Sequence, residues 1–343
     1  MALRAMTLGL AVGGVAMLVG GAPVLASDFR SEFSAGSPPY LERESVQAFI
    51  DERVAAGHER ERIEALIAAA EPQQRILELI SRPAEARPWH TYRPIFVTET
   101  RIDDGRAFLE AQAEWLAKAE EQFGVEREVV TAIVAVETNF GRNQGSFRVL
   151  DALVTLGFDY PPRAAFFSSE LGHFFDLIAE EQLDPLEIRG SYAGAMGRGQ
   201  FISSSYRAYA VDFDGSGQRD LIGSWGDAIG SIANYFRAHR WETGRPIVAA
   251  ATVEGDGYRD VLGGTQGRAF EARYSLEELA TAGVTPAEPV DPTGRYSLVR
   301  LEEQDGERFV LGYPNFYVIT RYNRSPLYAM VVAEIAAALG YLR

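Results

Sequence analysis

One glutamate falls where a charge is hard to keep. In the run Val129-Val130-Thr131-Ala132-Ile133-Val134-Ala135-Val136-Glu137-Thr138-Asn139-Phe140-Gly141, helical spacing puts Glu137 on the stripe of Val130, Ile133 and Val134. It also lies in the last turn before a glycine stop, where the helix end is partly negative. Desolvation and the helix end both disfavour the carboxylate and push its pKa upward. A carboxyl that keeps its proton near neutral pH is what a general acid needs. Position alone also allows a boundary glutamate that points to solvent.

Two further patterns could carry function. Ser191-Tyr192-Ala193-Gly194-Ala195-Met196-Gly197-Arg198-Gly199-Gln200-Phe201 is rich in glycine and alanine, which lets backbone approach a ligand or lets two elements touch. It lacks the G-x-G-x-x-G spacing of a nucleotide loop. Asp212-Phe213-Asp214-Gly215-Ser216-Gly217-Gln218-Arg219-Asp220 places side-chain oxygens at positions one, three, five and nine and a glycine at six. That is how a calcium-binding EF-hand loop opens. Gly223 stands where the twelfth-position glutamate belongs, and Asp227 is the next carboxylate able to close the cage. The expected ligand set is Asp212, Asp214, Ser216, the Gln218 carbonyl and Asp227, holding a structural Ca2+. The plainer reading is a polar turn built on Asx bonds.

Composition removes whole classes. The 343 residues carry Lys+Arg 33 against Asp+Glu 48, a net charge of -15, the wrong sign for a nucleic-acid binder. With no cysteine, disulfides, thiol catalysis and cysteine-ligated metals are excluded. The four histidines show no H-x-x-H or H-E-x-x-H spacing, which argues against a zinc protease. No organic cofactor is indicated.

The elements that must position these residues are mostly helical. Three-and-four apolar spacing predicts helices within 45–86, then at 104–123, 126–140, 150–156, 164–181, 203–210, 225–239 and 328–342. Residues 89–94, with Trp89, Tyr92 and Pro94, read as an irregular aromatic segment. Alternating patterns predict strands at 247–253, 296–302 and 308–313, with 281–293 as a linker. Residues 1–26 have a basic start, an apolar middle and small residues at Val24 and Ala26. That is the layout of a cleaved secretory signal, with a retained anchor as the alternative. No cysteine is available for a bacterial lipid anchor, so a periplasmic location is expected.

The segment Ala135-Val136-Glu137-Thr138-Asn139-Phe140-Gly141-Arg142 resembles the catalytic segment of the membrane-bound lytic transglycosylase B family, lysozyme-like enzymes that cut bacterial peptidoglycan. The similarity continues in order through Val149-Leu150-Asp151-Ala152-Leu153, Phe158-Asp159-Tyr160-Pro161 and the 190–201 segment. It then runs through Tyr209-Ala210-Val211-Asp212-Phe213, 227–236 and Pro314-Asn315-Phe316-Tyr317-Val318-Ile319-Thr320-Arg321-Tyr322-Asn323.

The resemblance implies that Glu137 protonates the glycosidic oxygen, then acts as base on the sugar's own 6-hydroxyl. That hydroxyl attacks the anomeric carbon and gives a 1,6-anhydro-N-acetylmuramic acid end. Ordinary glycosidases need two carboxylates; this chemistry needs one. By resemblance, Ser191 and Gln200 flank the acid and bond the sugar, and Met196 and Phe201 line the cleft. Tyr92, Tyr235, Tyr322 and Tyr328 match its tyrosines, beside Asn323. Arg163 faces substrate carboxylates; the family often has a second arginine before it, where this chain has Pro162. The EF-hand-like loop also resembles the family.

The expected fold is α+β, mostly α: a lysozyme-like helical core with an N-terminal helical domain and a small antiparallel β domain inserted before the C-terminal helix. The expected division is a signal at 1–26, an N-terminal helical domain at 27–103, the catalytic core at 104–241, the β domain at 242–315 and a C-terminal segment at 316–343. The partners implied are peptidoglycan glycan strands, with other cell-wall enzymes as further candidates. Two alternatives stand beside the lytic transglycosylase: a lysozyme-type hydrolase and a non-catalytic peptidoglycan-binding protein. Intact Glu137, Ser191 and Gln200 argue against the binder.

Overall fold

In the computed structural model, residues 39–81, 87–263 and 270–342 are described; the expected signal at 1–26 lies outside them. The fold is α+β and mostly helical. Three helices, α1 (Glu44–Ala55), α2 (Arg60–Ala68) and α3 (Gln74–Ile80), open it. They dock on α8 (Val149–Asp159) through specific polar ties. Tyr40 and Arg43 bond the Asp159 carboxylate at 2.5 Å each, and the backbone amides of Glu71 and Gln73 bond Asp151 and Thr155.

The centre is α7 (Arg127–Thr138), in which every residue from Val129 to Thr138 is buried. A helix apolar on nearly all sides belongs inside a bundle. Around it pack α5 (Glu99–Ala111), α6 (Ala113–Phe123), α11 (Trp225–Ala238) and α14 (Pro326–Leu339). The remaining helices are α4 (Trp89–Phe96), α9 (Ala164–Glu180), α10 (Ser203–Tyr209), α12 (Leu276–Thr281) and α13 (Pro314–Tyr322).

Four strands form the β insertion: β3 (Val248–Val253), β4 (Val284–Pro286), β5 (Ser297–Glu303) and β6 (Gly306–Gly312), antiparallel in the order β4-β3-β6-β5. Its two faces serve different cores, as strand alternation requires. Leu298 pairs with Leu311 and joins Tyr258, Leu279, Val284 and Tyr296 in a separate apolar cluster. Val299 pairs with Val310, and both join the main helical core. A two-residue ladder, β1 (Phe147–Arg148) with β2 (Arg189–Gly190), ties the chain after α7 to the small-residue segment.

Four expectations are corrected. Residues 89–94 are not irregular but form most of α4. An interior proline costs about 3 kcal/mol, yet Trp89 is fully buried and Phe96 is nearly so. A phenylalanine alone returns roughly 1.5–3 kcal/mol on burial. The single helix expected at 104–123 is two, broken at Gln112; both halves pack on α7, α5 also on α14 and α6 mainly on α11. The linker at 281–293 contains β4, whose three residues pair with β3. Helix α13 was not expected as a helix; Pro314 starts it at a position where proline is tolerated.

Candidate active site

Glu137 sits in the last turn of α7 and is 4 % exposed. Its Oε1 accepts a 2.6 Å hydrogen bond from the Tyr328 hydroxyl on α14. Its Oε2 is buried and has no protein partner. Burial pushes the carboxyl up to about 8, with the Tyr328 hydrogen bond pulling the other way. The group is therefore mostly protonated at neutral pH, as the apolar stripe predicted. Tyr328 itself is driven far above the ordinary tyrosine range by burial and by the neighbouring Glu137 and Tyr322, so it stays a donor.

Beyond Glu137 the backbone turns left-handed at three successive residues, Asn139 (φ 48°), Phe140 (φ 59°) and Gly141 (φ 76°). For residues other than glycine this costs roughly 1–2 kcal/mol each. The Phe140 ring is held against Phe108 at 5.5 Å.

Gln200, Phe201, Tyr235, Tyr322, Asn323 and Arg163 line one cleft of about 440 Å³. The Tyr322 hydroxyl bonds the Gly199 carbonyl at 2.5 Å, and Glu137 adds to the upward push that burial gives it. Tyr322 thus lines the cleft and lies close enough to Glu137 to feel its charge, while Glu137 is not itself among the lining residues. Tyr235 bonds the Arg321 carbonyl at 2.5 Å and stacks on His239 at 4.1 Å. The Asn323 Oδ1 is buried without a partner. Gln200 holds φ 50° and donates its amide to the carbonyls of Gln144 (3.0 Å) and Gly197 (2.9 Å). Arg163 lies over the Phe166 ring at 4.2 Å.

Glu137 and Tyr328 lie behind this wall, and three more expected residues, Met196, Ser191 and Tyr92, are also off it. Met196 is fully buried, not cleft-lining; its backbone bridges Gly190 and Phe201. The Ser191 oxygen accepts the amides of Ala193 (3.3 Å) and Ala195 (3.1 Å), which leaves its proton to donate. Tyr92 packs on Phe96 at 5.2 Å and contributes to the environment of Tyr328. The glycines answer the choice left open by the sequence in favour of packing. A Cβ on Gly194 would meet Leu153 at 2.6 Å, and one on Gly197 would meet the Leu221 carbonyl oxygen at 2.6 Å.

Sequence reasoning missed Glu170, Arg321, Arg324 and His239 on the cleft wall. Arg321 lies inside the family-like segment 314–323 and Arg324 directly after it, but neither was singled out; nothing in the spacing marked Glu170 or His239. Glu170 is the acid on this wall, and both its oxygens are occupied by the Ser204 amide (2.9 Å) and hydroxyl (2.7 Å).

The loop after α10 gathers three carboxylates. Oxygens of Asp212, Asp214 and Asp227 lie within 4.8 Å of one another, a donor set that fits a divalent cation with oxygen ligands. Asp227 is fully buried and also receives the amides of Phe213, Asp214 and Asp220. The Ser216 hydroxyl donates to the Gln218 carbonyl at 3.3 Å, so both expected oxygens lie on the same side of the turn.

A protein-family model described as Transglycosylase SLT domain matches residues 42–337. The chain is 39% identical over 312 residues to the membrane-bound lytic murein transglycosylase B of Escherichia coli K12, covering 87% of this chain and 83% of that protein. The structure of the lytic transglycosylase SltB1 from Pseudomonas aeruginosa is 45% identical, with a TM-score of 0.80, covering 89% of this chain and 97% of that one. The E. coli lytic transglycosylase Slt35, solved in complex with calcium, is 40% identical with a TM-score of 0.78, covering 88% and 94%. With family, sequence and fold in agreement, the chain belongs to the SLT-domain lytic murein transglycosylases of the membrane-bound lytic transglycosylase B family, lyases that act on peptidoglycan.

Proposed function

We propose that Glu137 performs both proton transfers of this lytic reaction. The protonated carboxyl gives its proton to the β-1,4 glycosidic oxygen between N-acetylmuramic acid and N-acetylglucosamine, and the bond to the anomeric carbon breaks. The carboxylate left behind takes the proton of the muramic acid 6-hydroxyl, whose oxygen closes on the anomeric carbon. The product ends in a 1,6-anhydro ring, and Glu137 is reprotonated for the next cycle. The observation that carries this reading is a buried carboxyl raised to about 8 with one oxygen free of protein partners. A hydrolase would require a second carboxylate poised near the bond. Glu170 on the cleft wall is held by Ser204, which favours the single-acid route.

The other residues follow from their atoms. Tyr328 steadies Oε1. Asn323 Oδ1, free of protein partners, suits a sugar hydroxyl or acetamido N–H, and the Ser191 proton is free to donate. Phe201, Tyr235 and Tyr322 offer ring faces for apolar sugar surfaces. Arg163 supplies a cation for substrate carboxylates. Met196, Gln200 and Tyr92 hold these elements in place. Calcium would sit among Asp212, Asp214 and Asp227, with Ser216 and the Gln218 carbonyl, and tie the loop to α11. Its chemistry is charge neutralisation in the loop, with no part in bond breaking.

The reading includes export, with 1–26 as a cleaved signal. Among the described residues no helix is long and apolar enough to cross a membrane. It also keeps the β unit at 242–315 as a domain of its own, supported by the separate cluster running from Ala249 to Tyr313, while the divisions at 103/104 and 315/316 fall inside α5 and α13.

Digestion of purified peptidoglycan in ¹⁸O water tests the reaction. Anhydro-ended muropeptides without label at the anomeric carbon are expected, and Glu137→Gln should release about 10²–10⁴-fold less. Labelled reducing ends as the main product would overturn the single-acid reading, and a fully active Glu137→Gln would overturn the assignment of the acid.

A further inference from the structure

Thr138 follows Glu137 and has no part in the mechanism above. It is 1 % exposed. A threonine in a helix commonly bonds a carbonyl of its own preceding turn. Here that contact, to Val134, is long at 3.4 Å. The shorter bond leaves the helix and goes to the Arg198 carbonyl at 3.0 Å. The same hydroxyl accepts the Gly141 amide at 3.0 Å. Arg198 is itself fixed, its amide bonded to the Leu221 carbonyl at 2.8 Å.

This geometry joins two things that must keep register. One is the end of α7, where Glu137 and Thr138 are followed by three left-handed residues. The other is segment 191–201, which carries Ser191 and Gln200. The second polar tie between them runs from Gln200 to the Gln144 carbonyl, several residues beyond the helix. Thr138 is thus the tie adjacent to the acid.

We propose that Thr138 is a positioning residue, its hydroxyl setting the place of the Glu137 carboxyl relative to Ser191 and Gln200 by holding the Arg198 carbonyl and the Gly141 amide together. The proposal rests on Glu137 being the acid and base. A displacement of about 1 Å at a reacting group can lower the rate about 10²-fold. Looser packing would also admit water to a carboxyl that burial holds near 8, lowering its pKa. Of the titratable groups on helices around α7, Tyr328 on α14 bonds the carboxyl and Tyr322 on α13 interacts with it; neither is altered by changes at Thr138.

The test compares wild type, Thr138→Val, Thr138→Ser and Glu137→Gln on solubilised glycan strands, reading anhydro-muropeptide release from pH 4 to 9. Valine keeps the shape but removes both bonds; serine keeps the bonds. The valine variant should lose kcat about 10²-fold with KM little changed. The basic limb of its kcat/KM profile should move to lower pH, and serine should restore both. Should valine fail to fold, Thr138→Ala carries the same expectation. A valine or alanine variant with wild-type kcat and pH limb, or a serine variant as impaired as valine, would overturn the proposal. An active Glu137→Gln would instead overturn the reading of the acid beneath it.

Discussion

The Glu137 carboxyl couples chemistry to stability. Its folded-state value of about 8 lies above the ordinary 4.5, so the folded protein binds this proton over a window in which the unfolded chain has released it. The sign follows from linkage. Below pH 4.5 both states are protonated and burial carries no charge penalty. As pH rises from about 4.5 towards 8 the unfolded state gains relative to the folded one. Each pH unit in that window is worth about 1.4 kcal/mol, so the full loss is on the order of 5 kcal/mol. Glu137→Gln cannot ionise and escapes it. Its unfolding free energy should match wild type near pH 4 and exceed it at pH 8; equal stability at both pH values would mean that the carboxyl is not held protonated by the fold. This residue was legible in the sequence because the penalty is written in its spacing. Tyr328 and Thr138 were less legible as neighbours of the acid, because one arrives from α14 and the other bonds the distant Arg198. Nothing in local spacing reports such pairings.

At the scale of elements, patterns with strong periodicity survive folding and patterns decided by packing do not. The central helix, the strands β3, β5 and β6 and the last helix follow their apolar spacing. The break at Gln112 has no glycine or proline to announce it, and the two halves share α7 while only α6 also packs broadly on α11. Helix α4 forms against a proline because Trp89 and Phe96 are buried. The calcium loop is legible in its oxygens, but the role of Asp227 as acceptor of three backbone amides is visible only in space. That difference selects the variant to test. Removing Asp227 would strand buried amides, at about 1–3 kcal/mol each. Asp212 is exposed, its carboxylate bonding the Gly215 and Gly217 amides. Calcium at about 100 times its dissociation constant adds about 2.7 kcal/mol to a protein that binds it only when folded. Wild type should therefore melt several degrees higher with calcium than with chelator, and Asp212→Ala should lose that difference while staying folded. Identical melting curves for wild type in the two conditions would reduce the loop to a turn.

Across the whole molecule, charge and function pull in opposite directions. A net charge of -15 repels an anionic cell wall over the range that salt leaves unscreened, yet Arg163, Arg321 and Arg324 stand on one cleft wall. The Glu170 carboxylate on that wall is occupied by Ser204. The long-range field therefore opposes approach, and attraction is local to the cleft. Salt separates the two. Raising ionic strength from about 10 mM to about 100 mM shortens the screening length from about 30 Å to about 10 Å. That removes most of the repulsion between whole surfaces and much less of the contact inside a half-enclosed cleft. Binding of the inactive Glu137→Gln protein to purified sacculi, measured by co-sedimentation, should hold or rise over that range. A protein kept on the wall by a basic surface would behave oppositely and wash off. A steep fall in binding would therefore place the main attachment on an exposed charged face and remove the cleft from its role as the site of retention.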